Sequence, residues 1–217
     1  MFEYNNIGII WTGHAGFKLA YGGKKVYIDP YKLNKKYENI SDADIVLITH
    51  NHFDHLSIDD LNNIINERTT IVSAQECESQ LRTLKVKESI SIEPRSNLKV
   101  QDLKIESVPA YNVNKDFHPK DDKKIGFIVE FGDERLYHVG DSDVIPEMEV
   151  TNSTIALIPV SGTYVMTADE ASKAVNELIR PKIAIPMHYG TIVGNRNDAI
   201  RFSEMVTVCK TMILESE

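Results

Sequence analysis

Thr49-His50-Asn51-His52-Phe53-Asp54-His55 is the stretch on which the reading of this chain turns. Three imidazoles and one carboxylate fall between positions 50 and 55. Packing does not call for such a density of good ligands for zinc and similar ions. Just before it, Ile45-Val46-Leu47-Ile48 is an apolar run of the kind that forms a buried strand. Just after it, Ser57-Ile58-Asp59-Asp60-Leu61 has an N-capping serine and an acidic first turn, which predicts a helix. The donors are therefore expected on a strand-to-helix loop at the C-terminal end of a strand, where open α/β architectures place their chemistry. In an extended segment His50, His52 and Asp54 point to one side and His55 elsewhere. One short loop can then serve two neighbouring ions, with His50 and His52 on one and Asp54 and His55 on the other.

Such a pair of sites needs donors from distant segments, and the sequence offers them where strands end. Gly140-Asp141-Ser142-Asp143 follows the strand candidate Arg135–Val139, and Gly140 permits a sharp turn beside Asp141. His188 follows Ile183-Ala184-Ile185-Pro186-Met187. His118 lies in a polar stretch, Tyr111–Lys124, whose Pro, Asn, Lys and Asp content predicts a loop. His138, close to Asp141, reads as a supporting residue, and Asp29-Pro30 as support for the ligand loop.

The remaining elements are a meander over Ile7–Trp11, Phe17–Tyr21 and Lys25–Ile28 with a Gly22-Gly23 hairpin turn, and strands at Thr70–Val72, Leu103–Val108, Ile125–Phe131 and Ile155–Val160. Helices are expected over about residues 57–67, 75–84 and 197–209, and after the capping box Thr167-Ala168-Asp169-Glu170 up to Pro181. The order suggests two similar halves of one domain spanning 1–217, joined near the loop at 111–124. A layered α/β sandwich fits it better than a doubly wound sheet.

The chain has 217 residues and a formal net charge of −8. An acidic chain of this size is a poor nucleic-acid binder. Cys77 and Cys209 are the only cysteines and form no CxxC, which points to a reduced, cytoplasmic home. The opening residues lack the basic n-region of a signal peptide, and no apolar run is long enough to span a bilayer, so no membrane partner is expected.

The His-x-His-x-Asp-His run at 50–55, Gly140-Asp141 and His188 together resemble the metallo-β-lactamase superfamily. Trp11-Thr12-Gly13-His14-Ala15-Gly16-Phe17, Ile28-Asp29-Pro30, Val108-Pro109-Ala110-Tyr111-Asn112 and Ile185-Pro186-Met187-His188-Tyr189-Gly190 are similar to one branch of it, the ascorbate-6-phosphate-lactonase-like metal-dependent hydrolases. The resemblance implies an α/β fold, a four-layer αββα sandwich, with two Zn²⁺ per chain. Mn²⁺, Fe²⁺ or Ni²⁺ could occupy the same nitrogen and oxygen donors. It implies His50, His52 and a third His for the first ion, and Asp54, His55 and His188 for the second, with Asp141 bridging. His118 is the only His in the central loop, and position 112, where some relatives carry His, is Asn. Either His118 reaches the first ion or that site is one imidazole short.

Redox di-iron members have Glu where this chain has His52, so His52 favours hydrolysis. Two close cations lower the pKa of a bound water and polarise a carbonyl or phosphoryl oxygen. Asp54 is expected to orient that nucleophile and His14 to donate a proton or touch the substrate. Ser161-Gly162-Thr163 is expected at the same mouth. The partner implied is a small-molecule substrate, a lactone or small phosphorylated compound. Relatives often assemble, which leaves a homo-oligomer open. The rival readings are a phosphodiesterase or nuclease of the same fold, a thioester hydrolase of the glyoxalase type, and a metal-binding module without catalysis.

Overall fold

The computed structural model describes residues 1–217. It divides into two compact units, Met1–Glu93 with Glu215–Glu217, and Pro94–Leu214. The division falls at Glu93 and Pro94 and not near 111–124; that loop lies inside the second unit.

The first unit is built on β1 (Phe2–Tyr4), β2 (Ile7–Gly13), β3 (Gly16–Tyr21), β4 (Lys24–Ile28), β5 (Ile45–Ile48), β6 (Thr70–Ala74) and β7 (Glu88–Ile92), hydrogen-bonded in that order into one sheet. Strands β1 to β4 form an antiparallel meander, and β4 to β7 are parallel. Every residue of β5 and β6 is buried, which explains their near-continuous apolar sequence. Gly22 and Gly23, both at positive φ, make the β3–β4 turn as the sequence predicts. Helix α1 (Ile58–Ile64) starts at the expected serine, whose side chain accepts a hydrogen bond from Asp60 N. It stops short of 67 because Asn66 turns the chain, binding Thr69 Oγ1 through its backbone N–H and Ser41 O through its side chain. The helix expected over 75–84 is a 3₁₀ turn, Gln75–Cys77, followed by the single-turn α2 (Glu78–Leu81).

The second unit repeats the plan. Its strands are β8 (Asn97–Val100), β9 (Leu103–Pro109), β10 (Ile125–Phe131), β11 (Glu134–His138), β12 (Ile155–Pro159), β13 (Ile183–Met187) and β14 (Lys210–Thr211), again in sequence order. Strands β8 to β11 are antiparallel and β11 to β14 parallel. The two halves inferred from the sequence thus share one strand order and one pairing pattern. Pro186 is tolerated in β13 because β14 pairs only Ile183 and Ala184, so Pro186 lies beyond that ladder.

The Thr167 capping box is formed and opens α3 (Ala168–Lys173). α3 continues as a π-helical segment, Ala174–Ile179, and ends with Arg180 in the left-handed region before Pro181. A second capping box, Asn195 with Asp198, opens α4 (Arg196–Met205), which packs on α3 and β13. α4 ends four residues earlier than expected because the chain straightens into β14. No helix is long and apolar enough to cross a membrane.

Candidate metal centre

In the first unit the donors follow β5. The loop is a tight turn and not an extended segment: the N–H groups of His55 and Leu56 both donate to His52 O, at 3.0 and 2.8 Å. The Glu76 carboxylate accepts from Asn51 N at 3.0 Å and pins the turn. His55 is therefore not aimed away from the rest; its ring packs on that of His50 with centroids 4.0 Å apart. His50 Nε2 faces His52 Nδ1 at 3.0 Å. Two nitrogens on one tetrahedral zinc lie roughly 3.3 Å apart at the usual bond lengths, so this pair suits a single ion. Asp54 Oδ2 lies 3.8 Å from His55 Nε2 and 2.9 Å from His14 Nε2. The loop thus presents a His50–His52 pair and an Asp54–His55 pair. His14, held at φ +51 with its carbonyl accepting from Trp11 Nε1, is brought against Asp54.

Asp29 sets the direction of these rings. It is fully buried at the end of β4. Oδ1 accepts from Thr49 N at 2.8 Å, and Oδ2 from Thr49 Oγ1 at 2.6 Å and His55 Nδ1 at 2.8 Å. A carboxylate can only accept here, so His55 carries its proton on Nδ1 and keeps Nε2 for a ligand bond. Thr49 Oγ1 spends its proton on Asp29 and accepts from His50 Nδ1–H at 3.0 Å, which leaves the lone pair of His50 Nε2 for a metal bond. The Asp29-Pro30 motif, read from sequence as loop support, has this role; Thr49, at the head of the His50–His55 run, gave no signal of its own.

In the second unit Asp141 follows β11, His188 follows β13 and His118 lies in the loop after β9. All three are buried. Asp141 Oδ2 stands between two imidazoles, 3.4 Å from His118 Nε2 and 3.2 Å from His188 Nε2. His188 Nδ1 meets Ser161 Oγ at 3.0 Å, and His118 Nδ1 meets Asn112 Oδ1 at 3.1 Å. Ser161, expected near the site, meets His188 through its hydroxyl. His138 accepts from Gly140 N through Nδ1 at 3.2 Å and shapes the turn that presents Asp141. Gly126 is required beside it, because a Cβ there would lie 2.6 Å from the carbonyl oxygens of His138 and Val139. The loop lysines are less solvated than their number suggests: Lys115 pairs with Asp143, and the buried Lys124 with Asp122.

The donor chemistry of both units fits divalent ions of the zinc class. Imidazole nitrogens and carboxylate oxygens converge, and carboxylate, hydroxyl or amide partners orient the rings.

A family model for the beta-lactamase superfamily domain matches residues 8–188. A metal-dependent hydrolase of Thermoplasma acidophilum is 31% identical over 98% of this chain and 96% of its own length. A solved structure from Parabacteroides distasonis superposes with a TM-score of 0.84 at 28% identity, covering 97% of this chain and 94% of that one. Igni18, a metallo hydrolase from Ignicoccus hospitalis, gives a TM-score of 0.78 at 24% identity over 96% of this chain and 95% of its own, a likeness of fold. Two mixed sheets with flanking helices and these matches give the expected α/β class and the metallo-β-lactamase type of fold. The chain belongs to the beta-lactamase superfamily, among its metal-dependent hydrolases.

Proposed function

We propose that the chain hydrolyses an ester-type bond, in a lactone or a small phosphorylated substrate, at a dinuclear zinc centre. The observation that carries this reading is the orientation of the rings. His50, His55, His118 and His188 each meet a neighbouring side chain through Nδ1, from Thr49, Asp29, Asn112 and Ser161, and each turns Nε2 toward another donor of the cluster, where a cation would sit. Purely structural histidines have no reason to share one ring orientation four times.

Neither donor set alone completes two four-coordinate ions. His50, His52 and His118 are assigned to one ion and Asp54, His55 and His188 to the other, with Asp141 shared. The family match spans residues 8–188 and so takes in parts of both units, which supports treating the chain as one functional domain. When bound, the ions would supply Lewis acidity and bring the pKa of a water toward neutrality. Asp54 Oδ2 orients the attacking water and takes its proton, and His14 Nε2, 2.9 Å away, holds that proton for the leaving group. The substrate is a small molecule and the location cytoplasmic, in keeping with two free cysteines.

The test is turnover of a panel holding a lactone, a phosphate monoester and an aromatic phosphodiester, by the zinc-loaded and the chelator-stripped protein. Lactone or monoester hydrolysis that disappears with the metal, and falls about 10²–10⁴-fold in Asp54→Asn, is expected. Preference for the diester would favour the phosphodiesterase reading. Two bound ions without any turnover would favour the non-catalytic module.

A further inference from the structure

The segment Asn112–His118 is closed at its neck. Asn112 N donates to His118 O at 2.8 Å, and His118 N donates to Asn112 Oδ1 at 3.0 Å. The same amide donates through Nδ2 to Tyr164 O at 3.0 Å. These two bonds fix which way the amide points, since a backbone N–H can only donate and a backbone carbonyl can only accept. The atom 3.1 Å from His118 Nδ1 is then an amide oxygen, which cannot donate. A neutral ring at 118 meets it only with its proton on Nδ1. The competing bond, from Nε2–H to Asp141 Oδ2, is longer at 3.4 Å. The clamp is also anchored away from the ring: Asp143 Oδ2 accepts from Val113 N at 2.8 Å, and Phe117 packs edge-on against Tyr164 with centroids 4.6 Å apart.

We propose that Asn112 is a positioning residue that fixes His118 as its Nδ1–H tautomer and so reserves Nε2 for a divalent cation. The use of Nε2 by a cation rests on the two-metal reading above. The tautomer does not.

The experiment is a long-range ¹H–¹⁵N correlation spectrum of the histidine rings in the metal-free chain, taken up in pH to the plateau where the His118 ring is neutral. The expected wild-type signal is Nδ1–H, opposite to the Nε2–H form that an unconstrained histidine favours. Asn112→Leu should move the proton to Nε2 and weaken zinc binding about ten- to hundredfold, while Asn112→Asp, which keeps the acceptor, should retain Nδ1–H. A wild-type ring protonated at Nε2 would overturn the inference even if no variant folds, as would an Asn112→Leu ring unchanged at Nδ1. Zinc titration of the same wild-type sample separates the two claims: Nδ1–H without zinc at His118 sinks the two-metal reading and leaves the positioning role standing.

Discussion

Replacing Asp29 by Asn should convert a ligand histidine into a non-ligand without removing it. Asn tolerates the left-handed backbone at φ +43, so the substitution adds little strain. The amide oxygen can keep the bond from Thr49 N, and its NH₂ then occupies the place of Oδ2. Thr49 Oγ1 adapts by turning its hydroxyl to accept. His55 Nδ1, 2.8 Å away, cannot donate to an NH₂ and must itself become the acceptor, which moves the ring proton to Nε2. Binding zinc at His55 then means reversing that tautomer and forfeiting a charge-assisted hydrogen bond, about 1.5–3 kcal/mol. The result is an affinity lower by about ten- to hundredfold for one of the two ions. The metal-free protein should lose about 2 kcal/mol from the same buried bond, roughly 4–8 °C in Tm for a chain of this size. A competition titration against a chromophoric zinc chelator reads the first quantity, and urea unfolding of the stripped protein the second. Wild-type affinity for both ions in a folded Asp29→Asn variant would refute the reasoning.

Ser161→Ala removes the partner of His188 Nδ1 and should weaken zinc binding about tenfold with a stability change of about 1 kcal/mol, read by the same titration and unfolding experiments. Gly126→Ala forces a Cβ against the backbone of His138 and Val139; a loss of about 3 kcal/mol in unfolding, with weaker zinc binding through the displaced Asp141 turn, is expected. Asp42 gives a pH test away from the metal centre. Burial alone would raise its pKa, but hydrogen bonds from Tyr27, Lys25 and Lys18 outweigh burial and hold it below the usual carboxylate range. Its contribution is therefore complete above the ordinary aspartate range and is lost as pH falls through the depressed value. Asp42→Asn should flatten the acid limb of a stability-versus-pH curve, and an unchanged limb would count against this account.

The parts of the fold carried by dense local signals were legible in the sequence. The all-apolar β5, the Gly22-Gly23 turn and the Thr167 capping box each follow from short-range chemistry that burial then reinforces. Strands β1, β7, β8 and β14 were not foreseen. They are short or edge strands: β7 reads Glu-Ser-Ile-Ser-Ile with its first two residues exposed, and β14 has two residues. Such segments are held by pairing with a neighbour more than by their own pattern. The ligand candidates could be listed because His and Asp clusters are rare. Their supporting partners mostly could not, because Thr49, Glu76 and Asn112 are common residue types whose roles depend on which atom faces which. His55 departs from its expected direction for the same reason: its spacing predicts an extended segment, whereas the N–H groups of His55 and Leu56 close a turn on His52.

The most direct test of the two-metal account is elemental analysis of metal bound per chain, in the wild type and His118→Ala purified without chelator and reconstituted with zinc. Two ions per chain, falling to about one in the variant, is the result the account predicts. One ion or none in the reconstituted wild type, or two in both proteins, would contradict it.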